Sequence, residues 1–148
     1  MSIAVQWLRK TGFCGCMLPT RVRNFLSEFY KPVALVVEDE PLLALYAEDL
    51  LCDLGYEVHH AHNADVAVPM LQTLKIDLLF TDIEMPGRWN GLALAVHAAT
   101  VMPEVPILVV SGRLKPAQTE IPSSALFFSK PYDASHITQA LRLFRKPA

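Results

Sequence analysis

Chemically reactive side chains stand directly after four short apolar runs of this sequence. They are three carboxylates, a hydroxyl and an ammonium group, belonging to Glu38, Asp39, Asp82, Ser111 and Lys130. Three carboxylates that are brought together repel one another unless a cation joins them. Hard oxygen ligands with room for water suit Mg²⁺ better than zinc or copper. If the chain gathers these residues in one place, they predict a magnesium site lined by a hydroxyl and an ammonium group.

Alternating strand and helix patterns predict that the chain does gather them. The β-branched run Val33–Val37 is typical of a strand buried on both faces. Pro41 then opens a helical spacing of leucines, with Cys52 expected on its buried side and Gly55 as its terminator. The cycle repeats, with strands predicted at 56–61, 76–81, 106–110 and 125–128 and helices at 64–74, 92–101 and 133–145.

This alternation predicts an α/β fold, a parallel sheet with helices on both faces. Ligands of such sheets sit beyond the carboxyl ends of the strands, where the reactive residues stand. Pro116 and Pro122 interrupt the segment before the last strand, so any fourth helix in it is expected to be short or irregular.

Length and charge bound the class of protein. The 148 residues, 52% hydrophobic and 19% charged, suit one compact domain rather than a disordered chain. Residues 1–31 hold five basic residues and one acid, and are expected to form an extension that is flexible or partly helical. Residues 32–148 hold fourteen acids and eight bases, which argues against direct nucleic-acid binding. No apolar stretch is long enough for a membrane span. Three cysteines, an odd number without the paired spacing of a zinc site, fit a reducing cytoplasm better than a disulfide framework.

Five short motifs together resemble the receiver domains of two-component response regulators. In order they are 36–40 (VVEDE), 81–87 (TDIEMPG), 90–91 (NG), 111–112 (SG) and 129–132 (SKPY), and the match runs from about Val33 to about Arg145. The resemblance implies a flavodoxin-like, doubly wound sheet of five parallel strands in the order 2-1-3-4-5. It makes 32–148 the receiver domain and 1–31 an extension.

The resemblance also implies a chemistry for each site residue. Asp82 would accept a phosphoryl group from the phosphohistidine of a histidine kinase, or exchange it with a phosphotransfer protein. Asp39 and Asp82 would ligate Mg²⁺ directly, with the backbone carbonyl of Glu84 as a third ligand and Glu38 acting through a water molecule. Lys130 would pair with a phosphoryl oxygen.

Three further residues are expected to serve conformation. Ser111 would hydrogen-bond the attached phosphoryl group, and Phe127 would turn into the space that Ser111 vacates, remodelling a protein-interaction face. Pro131 is expected to follow a cis peptide that aims Lys130 into the pocket.

The favoured interpretation is a stand-alone, single-domain response regulator in a phosphorelay, acting on a downstream protein that the sequence does not identify. It would catalyse its own phosphorylation and dephosphorylation, but serve primarily in signalling. The alternative is a receiver-like binding module that acts without phosphorylation; the intact Asp82, Asp39, Ser111 and Lys130 count against it. A phosphatase of the haloacid dehalogenase type ranks last, because only Glu84, two residues after Asp82, fits that pattern.

Overall fold

The computed structural model describes residues 30–144. Five strands form one sheet: β1 (Val33–Val37), β2 (Glu57–Ala61), β3 (Leu78–Asp82), β4 (Ile107–Ser111) and β5 (Ala125–Ser129). Four helices connect or follow them: α1 (Pro41–Asp53), α2 (Ala64–Thr73), α3 (Gly91–Val101) and α4 (Ala134–Phe144). Residues 1–29, which hold nearly all of the predicted extension, lie outside the described residues, so the division at residue 31 stays a prediction.

The sheet has the predicted topology. All its strands are parallel, in the order β2-β1-β3-β4-β5. Parallel pairing places the carboxyl ends of all five strands at one edge, so Asp82 and Ser111, the last residues of β3 and β4, lie at the same edge. The predicted flavodoxin-like fold is confirmed.

Hydrophobic cores on the two faces of the sheet hold the helices in place. Leu35, Leu79 and Val109 face α2 and α3, whereas Phe80 and Leu108 face α1 and α4. Neighbouring strand residues point to opposite faces, so each central strand contributes to both cores and reads as a continuous apolar run in the sequence. The strand ends are therefore fixed from both sides.

A proline and two asparagines define the starts of the first three helices, and the proline stands where the sequence predicts it. Pro41 occupies the first turn of α1, where its missing N–H costs no hydrogen bond. The side chains of Asn63 and Asn90 cap α2 and α3 by accepting hydrogen bonds from Val66 N and Ala93 N, both at 2.8 Å. Since α3 follows β3 after a short loop, its cap also fixes the chain next to Asp82.

The connection from β4 to β5 is irregular, as predicted. Residues 112–124 contain no helix, and they include a turn in which Glu120 N donates to Ala117 O at 2.9 Å.

No helix in the described part of the chain combines the length and apolar character needed to cross a bilayer.

One expectation about α1 was wrong. Cys52 is exposed, and so are Leu42, Leu45 and Tyr46. The buried stripe of α1 is Ala44, Ala47 and Leu51. Small residues allow a helix to pack closely on the sheet, and Cys52, next to Leu51, falls about 100° around the helix from it.

Candidate functional site

A cleft of about 520 Å³ opens at the carboxyl edge of the sheet, above β1, β3 and the start of the β4–β5 connection. Its lining includes most of the predicted site residues, namely Glu38, Asp39, Asp82, Glu84 and Lys130, and also Gly112 and Arg113. The strand ends bring these residues together from positions up to 92 apart in the sequence.

Lys130 lies between two buried carboxylates. Its Nζ is 2.8 Å from Glu38 Oε2 and 2.8 Å from Asp82 Oδ2. The Glu38 side chain is only 2% exposed and that of Asp82 5%, so both depend on protein partners rather than on water. The Lys130–Pro131 peptide is cis, as expected.

The acids outnumber the cation. Oxygen atoms of Glu38, Asp39 and Asp82 lie within 4.8 Å of one another. One ammonium group balances one of these three charges, which leaves an excess of negative charge in a mostly buried place. A hard divalent cation would balance the remainder and suits an all-oxygen donor set. These residues therefore fit Mg²⁺.

Burial and the neighbouring charges shift the pKa values of Glu38 and Lys130. Burial raises the pKa of Glu38, and so does the charge of Asp82; the hydrogen bond from Lys130 offsets only part of this rise. Burial alone would lower the pKa of Lys130, but its bonds to Asp82 and Glu38 more than reverse that effect and the pKa is raised. Lys130 is therefore held as a cation.

Asp82 is anchored on both of its oxygens. Lys130 holds Oδ2, while Glu84 N donates to Oδ1 at 3.2 Å. Its backbone carbonyl oxygen accepts a hydrogen bond from Thr81 Oγ1 at 3.0 Å. The first residue of α3, Gly91, packs directly against that carbonyl group. The carboxylate is thus held in one orientation towards the cleft.

Ser111 lies one strand away and has different partners. It is buried, donates to Glu84 Oε2 at 3.2 Å and accepts from Leu114 N at 2.9 Å. Phe127 is half-buried and packs against the core beneath α2 and α3, and the cleft lining does not include it. The structure therefore gathers Glu38, Asp39, Asp82 and Lys130, connects Ser111 to them through Glu84, and leaves Phe127 on the flank.

Two supporting contacts were not foreseen. The carboxylate of Asp65, in the first turn of α2, accepts a hydrogen bond from Arg88 N at 2.9 Å and packs against Gly87, whose φ is 130°. This contact ties α2 to the loop after Asp82.

Tyr132 packs on Phe80 and Tyr46, with its ring centroid 5.6 Å and 5.8 Å from theirs. Neither contact has a local signal, because each joins residues far apart in the chain.

Residues 34–142 match the model of the response regulator receiver domain. The chain belongs to this family. Among curated relatives, the nitrogen assimilation regulatory protein NtrX of Azorhizobium caulinodans is 33% identical over 107 residues, 70% of this chain and 24% of NtrX. The chemotaxis protein CheY of Pseudomonas aeruginosa is 34% identical over 83 residues, 55% of this chain and 67% of CheY.

Solved structures agree with this assignment. A response regulator receiver protein from Sinorhizobium medicae has 26% identity and a TM-score of 0.69, with 78% of this chain and 95% of that chain covered. TrrA of Thermotoga maritima, solved in complex with Mg²⁺-BeF, shares the fold at 24% identity and a TM-score of 0.67, covering 76% and 98%. The chain spans a quarter to a half of the first curated relatives that it matches.

Proposed function

We propose that this receiver domain accepts a phosphoryl group on Asp82, with Mg²⁺ as its cofactor and a histidine kinase or phosphotransfer protein as the donor. The observation that carries the proposal is the pairing of Asp82 with Lys130 at 2.8 Å inside a cluster of three acids. One cation for three carboxylates suits a second, exchangeable cation and an incoming anionic group.

The reaction follows from the anchored carboxylate. An Oδ atom of Asp82 forms a bond to phosphorus while the bond from phosphorus to the donor's histidine nitrogen breaks. The electron pair of the broken bond stays on the imidazole. A carboxylate is a weak nucleophile, so positioning and charge neutralisation supply most of the rate enhancement.

Each residue of the cluster has a proposed part in this transfer. Asp39, Asp82 and the Glu84 carbonyl would hold Mg²⁺, with Glu38 reaching it through water. The bound ion would neutralise charge on the transferring phosphoryl oxygens. Lys130 already contacts Asp82, and it would pass from carboxylate to phosphoryl oxygen as negative charge moves outward.

Ser111 and Phe127 are proposed to report the modification. Ser111 would leave its present partner to bind the phosphoryl group, and Phe127 would follow towards the space beside β4. Because Phe127 packs with residues beneath α2 and α3, its movement would alter the surface near β5. The downstream target would be a protein that recognises this surface. We propose that the chain acts as a response regulator and that it works in the cytoplasm.

Intact-mass spectrometry tests the proposal. We expect incubation with acetyl phosphate and Mg²⁺ to add one phosphoryl group to the wild type, and none to Asp82→Asn or to a sample containing EDTA. Asp49→Asn, which changes an exposed aspartate on α1, is the matched control and should gain the group. Equal labelling of Asp82→Asn would refute the assignment. No labelling combined with no magnesium binding would favour the binding module that acts without phosphorylation.

A further inference from the structure

The carboxylate of Glu84 occupies a cradle of hydrogen-bond donors at the end of β4. One oxygen, Oε2, accepts from Gly112 N at 3.0 Å, from Ser111 Oγ at 3.2 Å and from Arg113 N at 3.2 Å. Two successive backbone N–H groups and a hydroxyl that converge on one atom form an anion-binding concavity. In the described part of the chain, the group that accepts all three of these hydrogen bonds is therefore a side chain of the protein itself, that of Glu84.

The cradle faces the reacting centre. Its middle residue, Gly112, borders both Glu84 and Lys130: a Cβ built on Gly112 would lie 3.6 Å from Glu84 Oε2 and 4.0 Å from Lys130 Cβ. Gly112, Asp82 and Lys130 line the same cleft. A phosphoryl group attached to Asp82 would carry three anionic oxygens into this cleft and would need donors beyond Lys130.

The present contacts favour the anionic form of Glu84. Its slight burial would raise its pKa, but the amides of Gly112 and Arg113 and the hydroxyl of Ser111 outweigh that effect, so the pKa is lowered. Glu84 therefore offers the cradle a full negative charge, as a phosphoryl oxygen would.

We propose that Glu84 is an internal competitor of the phosphoryl group. Its carboxylate holds the Ser111–Arg113 cradle in the unmodified domain and must leave before the phosphoryl group can use those donors. The inference rests on the proposed phosphorylation of Asp82. It adds that the resting domain is held in a closed state by its own acid, so that affinity for the incoming group is reduced by the fraction of molecules in that state.

Beryllofluoride, an analogue of the phosphoryl group, measures this competition directly. The full chain would be titrated with beryllofluoride at saturating Mg²⁺ and followed by fluorine NMR. If about 90% of molecules hold Glu84 in the cradle, its removal strengthens apparent binding about tenfold. We expect that gain in affinity for Glu84→Ala. Because a side-chain substitution leaves the backbone carbonyl in place, the proposed magnesium ligand at residue 84 is kept in every variant.

Glu84→Asp separates occupation of the cradle from simple charge repulsion. It keeps the charge but is one methylene shorter, so its carboxylate falls roughly 1.3 Å short of the cradle. If occupation of the cradle is what weakens binding, Glu84→Asp should gain nearly as much affinity for beryllofluoride as Glu84→Ala. The matched control is Glu120→Gln, which removes an exposed charge whose carboxylate also accepts a backbone amide, that of Ala117 at 2.7 Å. It should bind like the wild type.

Amide NMR provides a readout that does not depend on phosphorylation. Without Mg²⁺ or beryllofluoride, the ¹H–¹⁵N signals of Gly112 and Arg113 should shift in Glu84→Asp and Glu84→Ala and stay in place in Glu120→Gln. Unmoved signals, or a gain in affinity for Glu84→Ala alone, would overturn the competitor role while leaving the proposed function intact. Failure of the wild type and of every variant to bind beryllofluoride would overturn both proposals.

Discussion

Replacing Gly91 with alanine should loosen β3, the strand that ends in Asp82, from the helix that follows it. Gly91 is the first residue of α3, and a Cβ built on it would overlap the carbonyl oxygen of Asp82, lying 2.5 Å from the carbonyl carbon and 2.8 Å from Thr81 Oγ1. Its neighbours are backbone and a buried side chain, which have little freedom to move aside. The start of α3 must therefore shift.

The size of the effect follows from competing terms. Carbon atoms in contact are about 3.5 Å apart, so the helix start and the end of β3 must separate by at least roughly 1 Å, and by more at the overlapped carbonyl oxygen of Asp82. Such overpacking costs about 3 kcal/mol at the upper end of its usual range. Alanine restricts the unfolded chain and returns up to about 1 kcal/mol. The net expectation is a loss of about 2 kcal/mol, which is a fall in Tm of roughly 8 °C for a domain of this size.

Urea unfolding followed by circular dichroism measures this difference, with Gly112→Ala as the matched control. Gly112 lies one strand away, and a Cβ there meets its nearest atoms at 3.6 Å and 4.0 Å, which are ordinary contacts. Its variant should be as stable as the wild type or slightly more stable. If Gly91→Ala unfolds at the wild-type urea concentration, the close approach of α3 to Asp82 is not a constraint and the reasoning fails.

Three further substitutions test other contacts. Lys130→Met should lower the free energy of unfolding by about 3 kcal/mol, because it leaves two buried carboxylates without their cation. Added Mg²⁺ should restore part of this loss in urea unfolding. The control is Lys115→Met, at an exposed position, which should change the free energy of unfolding little. Asn63→Ala should cost about 1 kcal/mol by removing the α2 cap, whereas Asn63→Asp should keep most of it. Burial raises the pKa of Tyr132, and the nearby charge of Glu38 raises it further. The stability that this neutral phenol contributes is therefore complete below pH 10 and is lost as the pH rises further, so Tyr132→Phe should flatten the alkaline loss of stability. An equally steep loss in Tyr132→Phe would assign the effect to other groups.

The sequence predicted the sheet well because its strands are buried on both faces. Such strands appear as apolar runs with definite ends, and the residues that follow those ends had to meet at one edge. The same logic anticipated the meeting of Glu38, Asp39, Asp82 and Lys130. Parallel strands end at one edge of the sheet, and the motif resemblance added the strand order, which makes β1 and β3 neighbours.

Two contacts around the cleft were beyond the reach of the sequence. The bond from Arg88 N to Asp65 spans 23 residues, and that from Ser111 to Glu84 spans 27. Neither leaves a periodic or compositional trace. The burial of α1 was misjudged for another reason. Helical spacing identifies apolar positions but not which face the sheet accepts, and here close packing selects Ala44 and Ala47 over Leu42 and Leu45.

The positions of the site residues along the chain also set the order in which the charges of the site appear during synthesis. Glu38 follows β1 and Asp82 ends β3, and these two strands adjoin. Lys130 follows the edge strand β5. A ribosome releases the chain from its N-terminus, so both acids emerge well before their counter-ion. A nascent chain that ends before β5 must separate these carboxylates, protonate one or borrow a cation from the surroundings. The last strand thus brings in the ammonium partner of two buried acids as well as completing the sheet.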